Sequence, residues 1–205
     1  MRPAYTHIAS RARQIIALLC ITLSLSAQDF SADRDLFDAY MKEDMTVWKA
    51  YVDSLPPSSV SFQTLLYEYG FCGFIVANDK PHALPYVKQF RQHIEAVKAQ
   101  LPKGYYEMYM SAVYVFELRL HESIHPIKSM SLAKEATRLA PNDPIILSYY
   151  GTCLFYAPKP FGDKREALEW FEKADILFRA TKWKYCWLKE ANSMYIQQCL
   201  EKLNP

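Results

Sequence analysis

Residues 66–75 and 147–156 share leucine, tyrosine, glycine, cysteine and phenylalanine at five of ten aligned positions, with an offset of 81 residues in a chain of 205. Midway between them Ser111 stands in the place of Gly70 and Gly151, so a small residue returns after 41 and then 40 residues. A period of about 40 is that of a helical-hairpin solenoid, in which each helix pair buries its apolar stripe against the next. Glycine inside a helix costs up to about 1 kcal/mol relative to alanine, so its return implies a neighbour packed too closely for a Cβ. The spacing predicts that this neighbour is the partner helix of the same hairpin.

Composition and apolar spacing also point to helices. Five glycines are few for an all-β protein, whose turns demand positive φ at many positions. Leu36, Phe37, Tyr40, Met41, Trp48, Tyr51, Val52 and Leu55 recur at three- and four-residue steps, which predicts one helix over 33–54. A second starts at Phe62 behind the cap Ser61 and runs to Ala77, and a third carries Leu84, Val87, Phe90, Ile94, Val97 and Leu101 until Pro102-Lys103-Gly104 stops it. Further helices follow over 105–121, 127–140, 145–157, 164–181 and 184–203, with Asp163 and Glu166 spaced as a capping box. The reading is an all-α, single-domain solenoid of about eight helices, with repeats over 62–102, 105–141 and 144–181 between capping helices over 33–54 and 184–203.

The first residues read as an address. Arg2, Arg11 and Arg13 precede an apolar run over 15–27, 13 residues long, with no acid before Asp29; a membrane-spanning helix needs about 20. This predicts a signal peptide over 1–27, cut after Ala27 or after Ser26, and a periplasmic or secreted mature domain over 28–205. Cys20 raises the alternative of a lipid anchor, against which Leu19 stands where a small residue is wanted. The mature chain would carry 21 basic against 22 acidic side chains, which gives no footprint for nucleic acid and, with the apolar run removed, no membrane span. Cys72, Cys153, Cys186 and Cys199 match neither a redox pair nor zinc knuckles. Export permits disulfides among them, although Cys186 and Cys199 on one continuous helix would lie about 20 Å apart, beyond disulfide reach; the alternative is four small buried hydrophobes.

Leu147, Tyr150, Gly151 and Leu154, followed by Ala167, Leu168, Phe171 and Ala174, fall where the tetratricopeptide repeat places its aromatic, leucine, glycine and small residues. Pro141, with Ala136 five residues ahead, fits that family's terminal proline, and residues 136–174 resemble the family closely. They depart from it by the insertion over 157–161, before Gly162-Asp163. In the context FYAPKPFGDKREALEWFEKA this insert is similar to the P-x-x-F-G element of secreted or periplasmic repeat proteins found in Bacteroidetes. The resemblance is weaker over 62–140 and absent over 28–60.

The resemblance implies a binding scaffold without chemistry or cofactor of its own, whose first helices line a concave face. By repeat position that face would be made of Tyr67, Phe71 and Phe74; of Met108, Ala112 and Val115; and of Ser148, Thr152 and Phe155. Such a groove takes a protein or peptide through apolar anchors, the alternative for each aromatic being to fill the core. Phe161, in the Pro-rich insert, either reaches over the groove or fills a gap between hairpins.

His121-Glu122-x-x-His125 spells H-E-x-x-H, which on a regular helix holds zinc between two imidazoles with the glutamate as general base. Pro126 follows directly and biases His125 away from the helical conformation, and no x-x-G-x-x-H continuation is present. A zinc-dependent peptidase is thus an alternative to the non-catalytic scaffold, and a structural subunit of an envelope assembly is another. G-x-S-x-G, Walker and G-x-G-x-x-G patterns are absent from the chain, so nucleophilic hydrolysis and nucleotide binding have no local support.

Overall fold

The computed structural model describes residues 33–56, 59–122, 126–184 and 186–203. Among these residues nine α-helices follow one another and no strand occurs. They are α1 (33–41), α2 (Met45–Ser54), α3 (Phe62–Asn78), α4 (Lys80–Val97), α5 (Tyr105–Arg119), α6 (Pro126–Leu139), α7 (Pro144–Tyr156), α8 (Lys164–Ala180) and α9 (Trp187–Leu203). The pairs α3–α4, α5–α6 and α7–α8 pack as hairpins, and each meets the next through α4–α5, α6–α7 and α8–α9. The first helices α3, α5, α7 and α9 lie side by side as an inner layer, which is the layering of an all-α hairpin solenoid.

Helix starts follow from local chemistry. At α3 the Ser61 Oγ accepts the Thr64 N–H at 3.3 Å while Thr64 Oγ1 accepts the Ser61 N–H at 2.8 Å, a reciprocal cap. Asp143 caps α7 by accepting the Ile145 N–H at 2.9 Å and also takes the Tyr105 hydroxyl at 2.9 Å, tying the start of α5 to the start of α7. Asp163 caps α8 through the N–H groups of Arg165 and Glu166, at 2.8 and 3.1 Å. The return half of the capping box expected there is replaced, because Glu166 accepts the Trp170 indole N–H at 3.4 Å.

The single helix expected over 33–54 is broken. Glu43 takes a φ of 57°, and Asp44 starts α2 afresh by accepting the Thr46 N–H at 3.1 Å. This turn folds α2 back so that the Trp48 indole donates to the Leu36 carbonyl at 2.7 Å, and Leu36, Ala39, Trp48 and Val52 are all buried. The split accounts for nine helices where about eight were expected.

The recurrent small residues behave unequally. A Cβ on Gly151 would lie 2.8 Å from the Phe171 ring of α8, and Ser111 donates to the Ser129 carbonyl of α6 at 2.8 Å, so both face their hairpin partner as expected. Gly70 does not. It faces Trp48 of α2 and, at 2.9 Å from an added Cβ, Trp187 of α9. The α3–α4 joint is made instead by Phe71, edge-on to Tyr86 at 5.0 Å, and by Glu68, whose Oε1 lies 2.7 Å from His93 Nδ1. Relative to α5 and α7, α3 is turned about its own axis.

Two sets of outcomes follow from this packing. Gly151→Ala and Gly70→Ala should each lower stability by about 1–3 kcal/mol, since an aromatic ring must give way. Gly73→Ala should raise it by about 0.5–1 kcal/mol, because the nearest atom to its Cβ is Phe116 Cζ at 4.0 Å. Urea unfolding of the three variants checks that order.

Glu68 is 1% exposed, meets His93 and Gln89 of α4 with Cys72 and Tyr109 nearby, and has no partner for its Oε2 among the described residues. Burial pushes its carboxyl above the ordinary 4.5, against the opposing pull of His93. A raised carboxyl favours folding fully below the unfolded value, and this contribution is lost as pH rises through the folded value. Glu68→Gln, which cannot ionise, should therefore gain stability relative to the parent between about pH 4 and about pH 7. Paired denaturation curves at the two values test this, and a constant difference would contradict it.

Candidate functional site

The inner layer is closed at one end by its own last helix. Trp187, at the start of α9, is 6% exposed and stands edge-on to Trp48, with ring centroids 5.1 Å apart. It also lies 5.5 Å from the Tyr40 ring and 6.3 Å from the Tyr69 ring. Gly70 makes room for this crossing. The concave face is thereby reduced from an open wall to a pocket of about 630 Å³.

Small residues keep the pocket hollow. Gly70, Gly73 and Ala77 form one stripe of α3, opposed by Ala112 of α5 and Ala191 of α9. The inner wall carries Val115, Phe116, Met130, Ile145 and Leu188. Phe74, Leu118, Tyr156 and Phe161 are exposed and ring the mouth at the C-terminal ends of α3, α5 and α7. Phe161 is placed there by the insert, whose turn is closed by its N–H on the Pro158 carbonyl at 3.0 Å. Gly162 permits that turn, since an added Cβ would strike the Ala157 carbonyl.

The polar groups of the wall are mostly engaged with each other. The Tyr149 hydroxyl donates to Ser111 Oγ at 2.8 Å, Ser111 Oγ in turn donates to the Ser129 carbonyl, and Thr152 Oγ1 donates to the Ser148 carbonyl at 3.0 Å. Trp187 Nε1 is shielded from solvent and has no partner among the described residues. Burial pushes the Cys153 thiol up to about 11 and holds the Tyr69 and Tyr149 phenols well above their ordinary value. The thiol is therefore protonated near neutral pH and supplies no thiolate nucleophile. Among the described residues Arg119 is the one basic side chain of the lining, which holds no acidic one; its guanidinium sits 5.3 Å from the Tyr156 ring centroid. This arrangement suits burial of an apolar group with one cation at the rim.

Of the side chains expected on the concave face, Phe74, Ala112, Val115, Ser148, Thr152 and Phe161 line the pocket. Tyr67, Phe71 and Met108 do not, and are buried core. Tyr67 packs edge-on to Trp48 and Tyr51 and donates to Asp33, while Phe71 faces α4. Phe155 packs on Tyr156, with centroids 4.9 Å apart, and lies outside the lining. The turn of α3 explains the displaced pair, because it brings Tyr69, Gly70 and Gly73 inward in place of Tyr67 and Phe71. Tyr69, Tyr149, Tyr195, Arg119 and Trp187 are lining residues the sequence reading missed. The Gly70-Gly73-Ala77 stripe was the available signal for a cavity.

Helix α5 ends at Arg119, ahead of the H-E-x-x-H segment, and His121 stands in a turn with a φ of 62° rather than on a helix. His125, the segment over 1–27 and Cys20 lie outside the described residues. Among the described residues no cluster of three or more His, Cys, Asp or Glu is arranged to hold a metal, and no helix is long and apolar enough to cross a membrane. Cys72, Cys186 and Cys199 are buried free thiols, and Cys153 is half-buried and free. No family model, curated protein or solved structure matches the chain.

Trp187→Ala should cost about 3–5 kcal/mol, as for other buried Trp truncations. It should also speed hydrogen exchange over 33–54 more than over α7 and α8, because the closure holds the N-terminal hairpin. Uniform loosening of all helices would show that Trp187 has no special tie to that hairpin.

Proposed function

We propose that this chain is an exported, non-catalytic scaffold of tetratricopeptide-like helical hairpins that holds a protein or peptide partner on its concave face, in the periplasm or outside the cell. The observation that carries the reading is the collar of exposed Phe74, Leu118, Tyr156 and Phe161 around a preformed apolar pocket. Apolar side chains gathered at a cavity mouth favour association, since an anchor from a partner covers them and fills the space beneath. The protonated thiol and phenols of the wall support binding over nucleophilic chemistry. The charged and apolar pattern of the first residues supports export.

A photoreactive residue placed at Phe161, at Thr152 or at Ile176 in the full chain, irradiated in the native envelope, tests this. Ile176 is 69% exposed on the outer helix α8 and serves as the control. The expected result is a discrete protein or peptide adduct at the first two positions and none at the third. Equal labelling at all three, or labelling confined to Ile176, would remove the concave face from consideration.

A further inference from the structure

We infer that the pocket is a site for a long-chain monoanion, an unbranched carboxylate whose tail fills the cavity and whose head is held by Arg119. This goes beyond the partner reading and stands on the pocket alone. A volume of about 630 Å³ is that of a site for a small amphiphile rather than for a single methyl-sized group. The tail faces Val115, Phe116, Met130, Ile145 and Leu188, which offer contact without hydrogen-bonding demand. A peptide backbone, unlike an apolar side-chain anchor, would bring two polar groups per residue into the same space, where the hydroxyls of Ser129, Tyr149 and Thr152 are already committed within the wall.

The head group is chosen by charge. No carboxylate lines the pocket among the described residues, and the acid nearest to Arg119 on the same helix, Glu117, is taken by Arg91 at 2.6 Å. Arg119 has no carboxylate partner among the described residues; its guanidinium lies near the Tyr156 ring, beside the exposed mouth. A guanidinium in that position presents several N–H donors in a planar fork that matches a carboxylate two bonds at a time. One cation and no anion at the rim of an apolar cavity select a ligand with one negative charge and an apolar body.

The test uses the purified full chain, stripped of lipid, titrated with dodecanoate, dodecanol and dodecyltrimethylammonium below their micelle concentrations. Tryptophan emission reports on binding, since Trp48 and Trp187 belong to the wall, and calorimetry gives the stoichiometry. Dodecanoate should bind once per chain, at least about tenfold tighter than dodecanol. Affinity should rise by about fourfold for each methylene from octanoate to dodecanoate. Arg119→Gln should bring dodecanoate down to the level of the alcohol. Gly73→Leu, which adds a side chain where the nearest atom to the Cβ is 4.0 Å away, should abolish binding of both probes without lowering the unfolding midpoint.

Equal affinity for acid and alcohol, tighter binding of the alkylammonium, an unchanged Arg119→Gln variant, or no saturable response at all overturns the inference. Because the titration needs no partner, dodecanoate binding without envelope crosslinks would sink the partner reading alone. Crosslinks without dodecanoate binding would sink this one alone.

Discussion

The edge-on contact of Trp187 with Trp48, made over the missing Cβ of Gly70, joins the two ends of the solenoid. Helical hairpins of this kind are stable only through their neighbours, so a three-hairpin stack depends on what covers its first and last members. Here the two covers, α1–α2 and α9, also cover each other. The inner layer is then fixed by the chain's own contacts, and a preformed site of this kind saves the ordering cost that a floppy groove would meet on binding. The same contact sets the shape of the pocket, because it blocks one end and leaves the C-terminal ends of α3, α5 and α7 as the way in.

Features decided by neighbouring residues were legible in the sequence. Ser61, Asp143 and Asp163 stop or start helices through bonds that span two or three residues, and the apolar stripes of α3 to α8 follow from spacing alone. The break at Lys42-Glu43 was not legible, because the apolar spacing over 33–54 suits one long helix as well as two short ones. A bond across the turn, from Trp48 to the Leu36 carbonyl, distinguishes them. The repeat likewise located Gly70 and gave the wrong neighbour for it. A repeat fixes which residues correspond but not how far a helix is turned about its axis, and α3 is turned by packing against Trp48 and Trp187, the second of which lies far along the chain. Ala112, Ser148 and Thr152 reach the pocket wall from α5 and α7, Tyr67 and Phe71 fall into the core with the turn of α3, and Met108 and Phe155 leave the lining through local packing on α5 and α7.

Charge is distributed so that the pocket stays neutral inside. The buried ionisable pair, Glu68 with His93, sits in the α3–α4 joint and does not line the cavity. Tyr149 and Ser129 use their wall hydroxyls to join helices, while Thr152 bonds back within α7: Tyr149 of α7 bonds Ser111 of α5, which bonds Ser129 of α6, a chain that ties two hairpins together. Satisfied in this way, these hydroxyls escape the penalty of an unpaired buried polar atom, which leaves the Trp187 indole N–H as the shielded donor of the lining without a partner among the described residues. Burial then holds Cys153, Tyr69 and Tyr149 in their neutral forms. Selectivity inside the cavity is a matter of shape and apolar area, and any preference for charge has to be exercised at the rim.

At the rim, three helix C-termini converge, those of α3, α5 and α7. Carbonyl ends carry a partial negative charge that repels anions and attracts cations over the last turn. Neither α3 nor α7 has a basic residue in its last turn, whereas α5 has Arg119. That one guanidinium thus offsets the field of the backbone as well as offering donors to a ligand. Without it the same mouth would keep its carbonyl ends and its phenol and phenyl faces, features that favour an ammonium group over a carboxylate. On the reading inferred above, the sign of the ligand's charge hangs on a single exposed side chain, while the capacity of the cavity for an apolar body hangs on the glycine and alanine positions of α3, α5 and α9.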